Sequence, residues 1–408
     1  MSKSLKLTKD EEKILDGGCG EVAAKAMKLL VTLGEIEEAS RLVPINRSQV
    51  AGVSYKTAGD ATLELVESFA SLGATARTQA MQNPAGMDLE RWRDMGISEA
   101  FAEKQKRICQ AYEKIGIKST CTCTPYLCGN KPDYGEIIGF SESSAVAYSN
   151  SVLGARSNRH GGLDALAAAL VGKVPLTGYL LDENRLGDIE VKVECELTSE
   201  ADYGALGYFV GKNVSMDEVP VYPKMNVTHD KLKLMGAASA ASGAVALYHV
   251  KDTTPEATRL RDLFKNGKPA ETLIFDEQNK RRVYDELSSS NKCNLVALGC
   301  PHCSINEIRE VVESIAGKHV NKKTRLWVFT SPTVYEEADK CGYIKKIRAS
   351  GGDVFRHTCM VVAPLEEMGV TGIATNSAKA AFYVPRMTKN SCSTFLSSLH
   401  NCVSLATS

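Results

Sequence analysis

Neither sign of charge is in excess in this sequence: 49 lysines and arginines face 49 aspartates and glutamates. A protein that coats nucleic acid shows a basic excess or stripe. Nucleic acid is therefore not an expected partner, although a local pocket for one small anion stays compatible with zero net charge. No apolar run reaches bilayer-spanning length, and the polar start MSKSLKLTKDEEK lacks a signal-peptide core. No membrane partner is expected, and the expected compartment is the cytoplasm. HExxH, GxSxG and P-loop patterns are also missing. The glycine-containing segments lack the GxGxxG spacing of a dinucleotide fold, so nothing supports NAD or ATP. No repeat or low-complexity segment stands out.

Cysteine, by contrast, is plentiful, with thirteen residues. In a reducing compartment these are not expected to form a disulfide framework. Their number is odd and their spacing scattered, so most read as small buried apolar residues, while a subset could ligate metal. Cys300-Pro-His-Cys303 is a CxxC, a spacing that serves zinc, redox pairs and clusters alike. No second pair at zinc-site spacing accompanies it, which keeps an iron–sulfur site built from cysteines distant in sequence as a candidate. His302, inside that motif, is expected at the surface, with a hydrogen-bond donor behind a metal ligand as the other reading. The segment from Ser119 to Gly162 concentrates Cys121, Cys123, Cys128, Glu136, Glu142, Arg156, Ser157, Asn158 and Arg159 in one poorly periodic stretch. Long irregular stretches inside a globular chain are usually functional loops.

The rest alternates strand and helix signals. Residues 8–34 read as helix, opened by a Thr8–Glu11 capping box and broken at Gly17-Gly18. Residues 42–53 read as strand, 60–72 as helix, 74–80 as strand, 82–88 as loop and 89–115 as helix. A short helix over 162–170, a strand over 190–197 and a small-residue helix over 234–250, suited to close packing, follow. In the last third, the strand 294–298 leads into GCPHC as a loop, then a helix opened by Ser304 and Glu307. The strand 325–330, the helix 333–341 and strands at 353–355, 360–363 and 370–374 complete an α/β pattern with a largely parallel sheet. Ligands of such sheets collect beyond the carboxyl ends of the strands. At this length two or three sub-domains are expected, with boundaries at 1–115, 116–270 and 271–408.

Several segments in order along the chain resemble the aconitase X family. They are NP..MD at Asn83–Asp88, CTPYL at Cys123–Leu127, Gly135-Glu136, SESSA at Ser141–Ala145 and NSVLGARSNRHGG at Asn150–Gly162. SGAVALYHV at Ser242–Val250, GCPH at Gly299–His302, HTCMVVAP at His357–Pro364 and TNSAKAAFY at Thr375–Tyr383 continue the series. One departure is Ser48, where many members have histidine.

The resemblance implies an aconitase-like architecture of several sub-domains, with largely parallel sheets flanked by helices around a central cleft. It implies a hydro-lyase with an iron–sulfur cluster, expected as 4Fe-4S with one open iron, because hydroxide leaves more easily from a Lewis-acidic metal. Cys123, Cys300 and Cys359 match the family's cysteine positions, with Cys303 a rival to one of them and the other cysteines structural. Glu142, Lys379 and Ser377 are the expected catalytic groups. Asn83, Asp88, Glu136, Asn150, Arg156, Asn158 and Arg159 are the expected substrate contacts. The two arginines could grip a carboxylate or phosphate, or else pair with Glu136 or Glu142.

Single-chain relatives carry an additional swivelling domain with a serine base. This sequence has no room for that domain, so a separate small subunit is expected to supply the base. The implied substrate is (R)-5-phosphomevalonate, converted to trans-anhydromevalonate 5-phosphate in an archaeal mevalonate route to isoprenoids. The alternative is cis-3-hydroxy-L-proline. A different class, a non-catalytic thiolate metal or redox protein using Cys300 and Cys303, stays open.

Overall fold

The computed structural model describes residues 5–260 and 262–407; the first four residues of the polar start lie outside them. Three parallel sheets and one small antiparallel pair organise these residues. The first parallel sheet places Arg47–Val50 between Gln79–Gln82 and Gly139–Phe140. Leu42–Pro44 pairs antiparallel with Lys173–Pro175 at its side. The second sheet runs in the order His249–Val250, Pro220–Tyr222, Ile189–Val193 and Glu271–Phe275. The third runs Asp353–Arg356, Arg325–Thr330, Leu295–Cys303, Gly372–Thr375 and Ser393–Leu396. Helices flank these sheets, as the alternating pattern requires. No helix among the described residues is long and apolar enough to cross a membrane.

The centre of the third sheet shows why the pattern works. All nine residues of Leu295–Cys303 are buried, the near-continuous run expected of a parallel strand covered on both faces. Burying Leu295, Val296 and Leu298 stabilises the fold by about 1.5–3 kcal/mol per side chain. GCPHC is therefore not the expected loop but the end of this strand. Its register against Arg325–Thr330 slips between Leu298 and Cys303, and Gly299 makes the slip possible. Its φ is +104°, and a side chain there would collide with the Phe329 carbonyl of the neighbouring strand.

Other expectations shift for local reasons. The helix expected over 89–115 is Glu99–Lys114, capped by Ser98. Residues before it form turns held by Asp88, whose Oδ1 accepts from the amides of Glu90 and Arg91. Residues 360–363 are turn, not strand, because the amides of Val362 and Ala363 return to the Cys359 carbonyl. Only Gln79–Gln82 of the stretch around 74–80 pairs as strand. The small-residue segment is the helix His229–Gly243, followed by a two-residue strand. It packs so closely on Glu200–Asn213 that a side chain at Gly243 would meet the Gly211 backbone, which bears out the close-packing reading.

Candidate active site

The first and third sheets point their carboxyl ends at one another. On the third sheet, Cys300 lies on the last part of its strand. Asp353–Arg356 leads straight into His357-Thr358-Cys359, and Gly372–Thr375 into Ser377 and the helix Ala378–Met387 that carries Lys379. On the first sheet, Gln79–Gln82 ends at Asn83 and Gly139–Phe140 ends two residues before Glu142. Contacts across the gap fix the arrangement: the Ala85 amide donates to the His357 carbonyl at 2.7 Å, and Ser54 Oγ donates to the Val362 carbonyl at 2.8 Å.

Three thiols meet in this gap. Cys123, Cys300 and Cys359 are 5%, 3% and 5% exposed, and all are free. Contact with the Cys300 thiol, reinforced by burial, pushes the Cys359 thiol well above its ordinary range. Burial does the same for Cys123, with the charges of Glu142 and Cys359 adding to it. Cys303 faces elsewhere. It packs with Ile308 and Val311 in a separate core cluster, whereas Cys300 and Cys359 share another with Phe329 and Phe355. The two cysteines of the CxxC thus lie on opposite faces of the sheet and do not form one chelate.

Beside the thiols sits a buried ion pair. Lys379 Nζ donates to Glu142 Oε1 and to Ser144 Oγ at 3.2 Å. Asn83 Nδ2 donates to Glu142 Oε2 at 2.9 Å, and Ser144 Oγ donates to Oε1 at 2.8 Å. Burial alone would raise the Glu142 carboxyl, but the Lys379 charge and these hydrogen bonds hold it down at about 2. Lys379 in turn loses solvation on burial, yet Glu142, Cys300 and Cys123 keep its ammonium firmly protonated. Gln49 extends the chain, donating from Nε2 to Asn83 Oδ1 at 3.3 Å and to the Thr122 carbonyl at 2.7 Å. Its buried Oε1 has no hydrogen-bond partner among the described residues, leaving an unused acceptor beside the pair. Gln49 and Ser144 escape sequence reasoning, because a glutamine in a strand and a serine in a helix carry no chemical signature.

The remaining candidates are placed differently. Asp88 also accepts from the Arg356 amide at 2.9 Å, so it anchors the loop that carries Cys359. Ser377 Oγ accepts from the Ala380 amide and caps its helix. Lys379 is on that helix, not in a loop. Asn150 is saturated by Ser157 and the Ala246 carbonyl. Asn158 is held by the Thr177 carbonyl and the Tyr179 amide. Glu136 pairs with Arg47 at 3.0 Å, while Arg156 binds Asp182 and the Leu180 carbonyl. The ARSNR stretch therefore stitches sub-structures together, and its Arg159 makes no contact with the thiols or the buried pair in the described set. His302 departs furthest from expectation. It is fully buried, and loss of solvation lowers its imidazole to about 4.

A thiolate-only donor set of three, drawn from three segments, fits an iron–sulfur cluster. No group of three Cys, His, Asp or Glu side chains among the described residues is placed to hold a single metal ion. The buried Cys123 and Cys359 thiols, whose protons burial favours, are also what metal loading would convert, because binding expels the protons.

Family models for the first, second and third domains of aconitase X match residues 4–183, 187–285 and 293–408. The chain is 46% identical over 393 residues to the phosphomevalonate dehydratase large subunit of Methanocaldococcus jannaschii, covering 94% of this chain and 96% of that protein. It is 48% identical to the protein of that name from Methanothermobacter thermautotrophicus, covering 93% and 94%. It is 33% identical to the cis-3-hydroxy-L-proline dehydratase of Pseudomonas aeruginosa, covering 92% and 66%. The crystal structure of Thermococcus kodakaraensis aconitase X in its holo-form superposes with a TM-score of 0.90 at 39% identity, covering 98% of this chain and all of that one. With thiols and a buried pair gathered between two parallel sheets, and with all three domain models matched in order, the chain belongs to the aconitase X family.

Proposed function

We propose that this chain is the large subunit of a hydro-lyase that dehydrates (R)-5-phosphomevalonate to trans-anhydromevalonate 5-phosphate. One observation carries the reading: three buried thiols and the Lys379–Glu142 pair share one gap between the carboxyl ends of two parallel sheets. Relatives 46% and 48% identical, named phosphomevalonate dehydratase large subunits, support the substrate. Cys123, Cys300 and Cys359 would hold an iron–sulfur cluster, taken as 4Fe-4S. When bound, such a cluster supplies Lewis acidity at the one iron without a thiolate, which stabilises a departing hydroxide.

The roles of the side chains follow from their charge states. Lys379 stays protonated and can hold a carboxylate of the substrate beside the thiols. Glu142 is ionised, but a carboxyl held near 2 is a weak base at neutral pH, far from the matched pKa that general-base catalysis favours. Its part is to orient Lys379, with Asn83 and Gln49 setting its own rotamer. Asp88 and Ser377 support the site from behind. The proton acceptor then comes from a separate small subunit, in keeping with the large-subunit names of the relatives, and a serine is the group we assign there.

The test is anaerobic assay of the iron-loaded chain with its small subunit on 5-phosphomevalonate and on cis-3-hydroxy-L-proline. Turnover of the phosphorylated substrate is expected. Turnover of the proline alone would reverse the assignment. A colourless chain that binds zinc at Cys300 and Cys303 would sink the hydro-lyase reading altogether.

A further inference from the structure

His302 is used on every side. Its amide donates to Cys123 Sγ at 3.2 Å, and its carbonyl accepts from Lys233 Nζ at 3.0 Å. On the ring, Nε2 lies 2.9 Å from the Thr358 carbonyl and Nδ1 lies 3.0 Å from Thr122 Oγ1. A carbonyl can only accept, so Nε2 carries the proton. Nδ1 is then the acceptor and the Thr122 hydroxyl the donor. Thr122 Oγ1 in turn accepts from the Thr124 amide at 3.1 Å. Neither ring nitrogen is left for a metal.

The four partners come from three segments, and His302 itself from a fourth. Thr122 and Cys123 belong to the first cysteine segment, His302 itself to the second, and Thr358 to the third, each next to or near its thiol. Lys233 comes from the helix His229–Gly243 and is paired with Glu307 behind the strand. A buried residue needed only for volume would be apolar, since polar groups in a dry site must all be matched. The matching here runs between the three segments that must hold their thiols at fixed separation.

We propose that His302 is the positioning residue that holds the three cysteine-bearing segments in one arrangement, and so determines how firmly a cluster is kept. The inference rests on the iron–sulfur reading above. Removing the imidazole unlinks residues 122–124 from 357–359, leaves the Thr358 carbonyl without its ring donor and leaves the Thr122 hydroxyl with Thr124 alone, while the thiols remain. Loss of groups that orient metal ligands typically weakens metal retention by about 10–100-fold.

The experiment compares the full chain with His302→Ala and His302→Gln after anaerobic loading with ferrous iron and sulfide. Iron per chain, the rate of iron loss to a chelator, and the alkylation rate of Cys123 by iodoacetamide in the iron-free chain are measured, with the melting temperature of the iron-free chain alongside. His302→Ala should melt near wild type, lose iron about 10–100-fold faster and expose Cys123 to faster alkylation. His302→Gln, whose amide can still donate to Thr358, should fall between. If His302→Ala melts far below wild type, Thr122→Val decides: it keeps the ring but removes the hydroxyl that bonds Nδ1, and faster iron loss is expected. Iron retention and alkylation equal to wild type, in folded His302→Ala or in Thr122→Val, overturn the inference and leave the cluster reading intact. A folded wild-type chain that takes up no iron overturns both.

Discussion

Replacing Lys379 by Met should destabilise the chain in a way that depends on pH, and the size follows from the surroundings of Glu142. The Lys379 and Glu142 side chains are only 9% and 13% exposed. Without the ammonium, burial dominates and drives the carboxyl above its ordinary value of 4.5, so at pH 7 folding must take up a proton. At about 1.36 kcal/mol per pH unit, full neutralisation over the interval from 4.5 to 7 costs about 3.4 kcal/mol. That matches the range of about 3–5 kcal/mol seen when one partner of a buried pair is removed. Unfolding entropy of about 2.1 cal/mol/K per residue gives a chain of this length about 0.9 kcal/mol/K, so the melting point should fall by about 4 °C at pH 7. At pH 5 the same reckoning leaves about 0.7 kcal/mol, a drop below about 1 °C. Lys379→Met combined with Glu142→Gln should recover most of the loss at pH 7, because a neutral amide keeps partners in Asn83 and Ser144. The assay is thermal melting by circular dichroism of iron-free wild type, Lys379→Met, Glu142→Gln and the double variant at both pH values. An equal drop at pH 5 and pH 7 with no recovery in the double variant would refute the reasoning and assign Lys379 a packing role.

Cys123→Ala should abolish iron uptake, whereas Cys303→Ala should leave iron content unchanged, because Cys303 packs on the opposite face of its strand; anaerobic iron and sulfide analysis separates the two. Gly299→Ala should destabilise by about 2 kcal/mol or more, since a side chain at positive φ is strained and this one meets Phe329. Its melting point and iron content should fall together. In the wild type, Glu142 sits below its unfolded value, so its contribution is present above about pH 4.5 and is lost as pH falls toward 2. Urea midpoints across that interval should therefore drop, and less so in Glu142→Gln.

Elements with local signals were legible in the residues. The capping boxes at Thr8 and Ser304 both form, since Ser/Thr and Glu three residues apart satisfy each other's backbone amides wherever the helix begins. Arg325–Thr330 and the helix after it were equally plain, with Pro332 at its first turn. Tertiary context overrode the rest. Gly299 and Pro301 read as breakers, yet the strand runs through them because its neighbours pair and bury it. The apolar run at 360–363 reads as strand, but its amides are claimed by the Cys359 carbonyl. His302 read as surface because nothing in CPHC reveals that Thr122 and Thr358 will close over it.

The site was legible only as far as single residues carry chemistry by type. Cysteines can be nominated from a sequence, and the family resemblance selected three of them, but no spacing rule links a thiol in the irregular segment before Pro125 to two thiols at strand ends of the third sheet. The ARSNR stretch shows the same limit. Two arginines around an asparagine look like an anion grip, yet Arg156 and Asn158 are consumed by Asp182, Leu180, Thr177 and Tyr179. Lys379 in TNSAKAAFY is expected at the site from the resemblance, and it is the cation that reaches the thiols. What separates them is the sheet: Lys379 follows the carboxyl end of a central strand, whereas Arg156 is bridged to Ile137, ahead of the strand Gly139–Phe140. Chemistry in this chain is therefore decided by which residues the parallel strands deliver to the gap. The hydrogen-bonding residues around them, Gln49, Asn83 and His302, give those few groups a fixed geometry.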